Sequence, residues 1–277
     1  MKIALCNEVL QPLPFAQQCA LAAGLGYDAL EVAPFTLAAD PLALTETQAR
    51  EFAHIAQDHG LAISGLHWLL VAPAGLSMVC SDAALRRRTT DALVHLVGLC
   101  AAMGGRYLVH GSPRQRSVPP GEARAAALDR ARACLARAAQ AAQAHGVTYC
   151  LEPLAPAETD LVNTVAEAVE LVDAIASPAF KTMVDCSAAG QAEAEPVADL
   201  IRRWWPSGKL AHVQVNDPNR QGPGQGAMRF APILAALQAV GYDGVLAVEP
   251  FDYRPDGPGC AARAIGYLRG LLEARDG

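Results

Sequence analysis

No two of the eight cysteines, at positions 6, 19, 80, 100, 134, 150, 186 and 260, stand in Cys-x-x-Cys or any paired spacing. That excludes a disulfide framework, and the residues read as small buried hydrophobes of a reducing, cytoplasmic protein. No run of 18 apolar residues occurs, so no membrane span is expected. The opening MKIALCNEVL is broken by Asn7 and Glu8 and is too polar for a signal segment. Basic charge is in deficit, with 22 Lys and Arg against 28 Asp and Glu, a net charge of −6 and a pI near 5.6. That balance argues against a nucleic-acid partner. No Gly-x-Gly-x-x-Gly follows the first apolar run, which weighs against an open dinucleotide-binding sheet. No linker or low-complexity stretch divides the chain, so residues 1–277 are expected to form a single domain.

Hydrophobic residues make up 52% of the chain, enough for a large core. Eight short apolar runs lie at 2–6, 28–32, 61–68, 106–111, 147–153, 180–186, 210–217 and 244–251. They are continuous rather than alternating, as in strands buried on both faces of a parallel sheet. Helical segments are expected near 15–24, 46–60, 82–103, 121–145, 164–176, 193–204, 229–240 and 260–274. GLGYD, DHGL, MGGR, AHGV and VGYDG mark helix ends just before the next strand. Eight β/α repeats of this size predict an α/β fold, a (β/α)8 TIM barrel. An open doubly wound sheet is the alternative.

In such a barrel the chemistry gathers where strands end. The fifth run ends in Glu152, the sixth in Asp185 and the eighth in Glu249, while the seventh carries Gln214. These positions are 33, 29 and 35 residues apart, one repeat each, so they converge at the barrel mouth. Three carboxylates that close repel one another unless a cation lies among them. An oxygen-rich set suits Mn2+ or Mg2+. His67 and His110 close the third and fourth runs. Asn7, Glu8 and Glu31 are weaker candidates of the same kind. His54, His59, His95 and His145 fall in helices or turns. Asn163 is expected to cap the helix near 164, Arg114 and Arg116 to sit in a solvated loop, and Trp204–Trp205 to pack on a neighbour or a partner subunit.

From Tyr149 to Tyr253 the stretches LEPL, ETDLVNT, MVDCSAAG, HVQVNDPNRQGPGQG and GYDGVLAVEPFDY resemble the sugar isomerase/epimerase barrels related to xylose isomerase. The likeness is greatest to ketose 3-epimerases and hydroxypyruvate isomerase-like proteins. It implies a divalent metal held by Glu152, Asp185, Gln214 and Glu249, with Glu152 and Glu249 as the acid/base pair. It implies Glu158 and Arg220 as substrate contacts, and His67 and His110 join them at the strand ends. The family is often dimeric or tetrameric. Two departures stand out. The family's strand-7 His is Gln214, and the substrate-touching His four residues into the Asp-x-x-His motif is Ala188. The first favours a harder cation and the second opens space.

These residues point to proton transfer next to a carbonyl of a ketose, sugar or sugar acid, giving epimerisation or aldose–ketose isomerisation. A keto-acid dehydratase or decarboxylase on the same barrel is the second expectation. An abasic-site nuclease would need more histidine ligands, and a non-catalytic binding protein would have a degenerate metal site.

Overall fold

The computed structural model describes residues 1–276. Eight strands hydrogen-bond in sequence order and close on themselves: β1 (Lys2–Cys6), β2 (Ala29–Val32), β3 (Ala62–Leu66), β4 (Tyr107–His110), β5 (Thr148–Leu151), β6 (Phe180–Asp185), β7 (Leu210–Val215) and β8 (Val245–Val248). Every pairing is parallel, and β1 closes the ring on β8 with Lys2 opposite Val245 and Leu5 opposite Val248. The chain is therefore a TIM barrel, and closure rules out the open-sheet alternative.

Among the described residues, ten α-helices lie between and after the strands: α1 (Phe15–Leu25), α2 (Glu46–Asp58), α3 (Ala83–Ala102), α4 (Pro113–Arg116), α5 (Arg124–His145), α6 (Val165–Ile175), α7 (Cys186–Ala192), α8 (Val197–Trp204), α9 (Phe230–Ala239) and α10 (Gly257–Asp276). Their ends follow local chemistry. Thr45 and Gln48 form a capping box on α2, and the Asp82 carboxylate accepts from Ala84 N and Leu85 N to start α3. Gly26 and Gly146, at φ +92° and +69°, end α1 and α5 in the left-handed region that suits glycine.

Two local expectations change. Thr164, not Asn163, caps α6 by accepting from Glu167 N, because the Asn163 amide is drawn back to the carbonyls of Leu154 and Thr159. The helix expected over 193–204 is preceded by a second one, α7, which starts the moment β6 ends. Asp185 caps it, its Oδ1 accepting from Ala188 N at 2.6 Å. Trp204 and Trp205 lie half-buried on their own chain, Trp205 edge-on to Tyr242 with ring centroids 5.0 Å apart.

The apolar core fills the space between barrel and helices, from Ile3, Leu5 and Leu30 through Phe180, Phe230 and Leu246 to Leu268. The barrel interior is partly polar, beside an apolar cluster of Val109, Cys150 and Met183. Glu31, Ser64, Tyr107, His212 and Gln214 are all buried there. Gly65 makes room: a Cβ at that position would meet Tyr107 O at 2.5 Å and its ring at 2.6 Å. Tyr107 can thus reach Glu31 Oε2 at 2.6 Å. No helix among the described residues is long and apolar enough to cross a membrane.

Candidate active site

Glu152, Asp185 and Glu249 stand just past or at the ends of β5, β6 and β8, and each is almost wholly buried. Each offers a carboxylate oxygen, and these oxygens lie within 4.8 Å of one another, a group that could hold a metal ion. Burial, then the charges of Glu249 and Asp185, push the Glu152 pKa well up. Burial and Glu249 do the same to Asp185, against hydrogen bonds from Ala188 N and Asn216. Glu249 is pushed up to about 7 by burial, with His67 opposing and Glu8 and Glu31 adding. Such a cluster fits a cation. Glu249 Oε2 and Gln214 Oε1 are buried with no hydrogen-bond partner among the described residues, which marks two acceptors awaiting a ligand.

Glu249 is firmly aimed. Its Oε1 accepts from Trp68 Nε1 at 2.8 Å and lies 2.9 Å from His67 Nδ1. The other His67 nitrogen is 2.9 Å from Glu8 Oε2. Burial works against a charged His67 ring, but Glu8 and Glu249 on either side outweigh it and push its pKa well up. Cys6, Glu8, His67 and Glu249 also bring one ligand atom each within 4.8 Å, yet there both ring nitrogens are already engaged by carboxylates.

Two cavities meet at the mouth. The inner one, about 110 Å³, is walled by Glu152, Asp185, Glu158, Ala188, Arg220 and Phe251, among others. The outer one, about 270 Å³, is lined by Glu8, Gln11, Phe35, Trp68, Arg220, Phe251 and Tyr253. Arg220 and Phe251 divide them, the guanidinium 4.9 Å from the ring centroid. Arg220 is held at φ +72°, and its carbonyl accepts from Phe251 N and Asp252 N. Glu158 is half-buried, its Oε2 accepting from Ala155 N at 3.2 Å.

Other expected site residues lie elsewhere. His67 and His110 border neither cavity: both are fully buried, His67 behind Glu249 and His110 on Tyr149 OH at 2.7 Å. Burial and Arg116 push the His110 pKa down to about 3. Arg116 is not in a solvated loop. It is 2% exposed, and its NH2 group donates to the backbone carbonyl of Glu152 at 2.7 Å. Strong preference for solvated arginine misleads here, because the loop after β4 folds back over the barrel end. Asn7 is structural, its amide bonding Gln18, Thr36 and Ala33 N.

Gln214 sits beside Asp185 in the β6/β7 register, where the repeat spacing puts it. Its Nε2 donates to Glu31 Oε1 at 2.7 Å. His212 points the same way as Gln214, as strand alternation expects, and stacks on Tyr107 with centroids 4.0 Å apart, placing Nε2 2.9 Å from Glu31 Oε2 without a hydrogen bond. Glu31 is consequently held ionised at about 2: burial opposes the charge, but His212, His67 and the Tyr107 hydroxyl outweigh it. The signal for this pair was the two-residue spacing of His212 and Gln214, which puts both side chains inside the barrel.

The sequence pattern of xylose isomerase-like TIM barrels matches residues 19–271. The chain belongs to that family. Relatives include a D-psicose 3-epimerase of Ruminiclostridium cellulolyticum, 34% identical over 113 residues, or 41% of this chain and 38% of the relative. A D-psicose 3-epimerase of Enterocloster bolteae is 29% identical over 241 residues, 82% of this chain and 73% of the relative. The matched part of the chain thus spans well under half of the first relative and about three quarters of the second. A solved L-ribulose 3-epimerase superposes with a TM-score of 0.82 at 23% identity, covering 99% of this chain and 95% of that one, which shows the shared fold.

Proposed function

We propose that the chain is a divalent-metal-dependent epimerase or isomerase of a ketose or related small sugar or sugar acid. The observation that carries this is the convergence of Glu152, Asp185 and Glu249, three buried carboxylates on separate strands, at one cavity wall. The family and its 3-epimerase relatives support the same class.

Glu152, Asp185, Glu249 and Gln214 would hold the cation, Mn2+ or Mg2+ by the hardness of the donors. When bound, it supplies Lewis-acid polarisation of a substrate carbonyl and relieves the repulsion among the carboxylates. Glu152 and Glu249 act as the acid/base pair. One removes the proton from the carbon next to the carbonyl, and the other delivers a proton to the opposite face. One C–H bond breaks and one forms. Return to the same carbon inverts it; return to the neighbouring carbon, the hydroxyl proton of one oxygen passing to the other, isomerises the sugar. Glu158 accepts from, and Arg220 donates to, substrate hydroxyls in the inner cavity. Phe251 and Trp68 keep water from the reacting carbon.

Deuterium wash-in at the carbon next to the carbonyl, followed by NMR on a ketose panel in D2O, tests this. Glu152→Gln and Glu249→Gln should each slow it by roughly 100-fold or more. Undiminished exchange in both variants would overturn the assignment. A chelator should abolish exchange, and added Mn2+ or Mg2+ should restore it.

A further inference from the structure

The Gln214 amide has a fixed direction, and Glu31 fixes it. Glu31 is surrounded by donors: Gln214 Nε2 and Cys6 Sγ at Oε1, 2.7 and 3.6 Å away, and the Tyr107 hydroxyl at Oε2, 2.6 Å away. His212 Nε2 lies 2.9 Å from Oε2 without a hydrogen bond to it. A carboxylate used this way only accepts, so it bonds the NH2 end of an amide and repels the carbonyl end. The nitrogen of Gln214 therefore faces Glu31, and Oε1 is turned away from it. Gln214 is fully buried, and Oε1 finds no donor. A buried amide oxygen left without a donor is free to serve as a ligand. Its neighbour across the β6/β7 register is Asp185, whose two oxygens are committed to Ala188 N and Asn216 Nδ2.

From this geometry we infer that Glu31, which touches no cation itself, sets the cation class of the site by presenting Gln214 Oε1 as its fourth oxygen. The inference rests on the metal reading above. Three carboxylates and an amide oxygen make an all-oxygen set, and oxygen sets favour Mn2+ and Mg2+, while imidazole in the same slot favours Zn2+. Glu31 is a positioning residue: replaced by a group that can also donate, it no longer dictates which end of the amide faces the carboxylates.

The test is binding, independent of turnover. Mn2+ affinity is measured by EPR titration on the metal-stripped full chain, with Mg2+ and Zn2+ as competitors. Glu31→Gln and Gln214→Leu should each weaken Mn2+ binding by roughly 10- to 100-fold. Gln214→His should bind again and shift preference toward Zn2+. Wild-type Mn2+ affinity in Gln214→Leu, with binding abolished by Asp185→Ala, would overturn the inference and leave the metal site standing. Wild-type affinity in Glu31→Gln, with Gln214→Leu impaired, would remove Glu31 from it. No Mn2+ or Mg2+ binding by the wild type would overturn the metal reading and this inference together. Should a variant fail to fold, anomalous diffraction from Mn2+-loaded wild type decides: a peak within about 2.2 Å of Oε1 supports the inference, and one out of reach of it overturns it.

Discussion

His67 Nδ1 lies 2.9 Å from Glu249 Oε1, across 182 residues of chain. Trp68 Nε1 reaches the same oxygen at 2.8 Å. Two consecutive residues at the end of β3 thus hold one edge of a carboxylate from β8 and leave Oε2 bare. The sharp turn that lets both side chains reach inward is visible at Trp68, which sits at φ +51°. Trp68→Phe keeps the ring against Phe35 and Phe251 and removes only the donor. It should lower kcat by roughly 10- to 100-fold with KM little changed, by analogy with other groups that orient a site ligand. Full kcat in this variant would show that Glu249 needs no such support.

Gly111 offers a steric test of Glu152. A Cβ there would stand 2.3 Å from Glu152 Oε2, too close for the carboxylate to stay where it is. Arg116 holds the Glu152 backbone from behind, so the side chain must yield rather than the strand. Gly111→Ala is therefore expected to fold and to lose roughly 100-fold in kcat, the usual scale for a displacement of about 1 Å at a reacting group. Circular dichroism and a thermal melt confirm folding. A fully active, folded variant would mean that the position of Glu152 is not critical.

The barrel was legible because its strands are continuous apolar runs at even spacing, and that pattern survives without tertiary information. The mouth carboxylates were legible for the same reason, since strand ends in one barrel share a level. What escaped was side-chain direction. Nothing local tells that His67 is held between Glu8 and Glu249, because these partners lie 59 and 182 residues away. Arg116 reads as a surface residue, yet it is buried against the backbone carbonyl of Glu152, 36 residues further along the chain. Asn163 lost its cap to Thr164 through a loop contact that periodicity cannot encode.

Arg220 is the one cation that lines both mouth cavities among their described linings. Its guanidinium rests on Phe251, which fixes its height above the inner cavity. Lysine would keep the charge and lose both the planar stacking and the forked donors. Arg220→Lys is expected to raise KM for the proposed ketose substrate by roughly 10-fold while changing kcat less, the pattern for a contact made equally in ground and transition states. A fall in kcat at constant KM would instead place Arg220 at the reacting atoms.

His110 gives the chain an acid-sensitive point. Burial and the Arg116 charge hold its folded-state pKa at about 3, below the ordinary value near 6.5. A histidine depressed in the folded state is neutral there, while the unfolded chain takes up the proton. Stability from this group is therefore complete above about pH 6.5 and is lost as pH falls toward 3. At pH 5 the unfolded ring is favoured by about 1.5 pK units, or about 2 kcal/mol. Denaturant unfolding at pH 7 and pH 5 checks this against His110→Gln, which cannot titrate. The variant starts less stable, having changed the 2.7 Å contact with Tyr149 OH, but it should lose about 2 kcal/mol less than wild type between the two pH values. Equal losses would mean that His110 takes up its proton in the folded barrel without penalty.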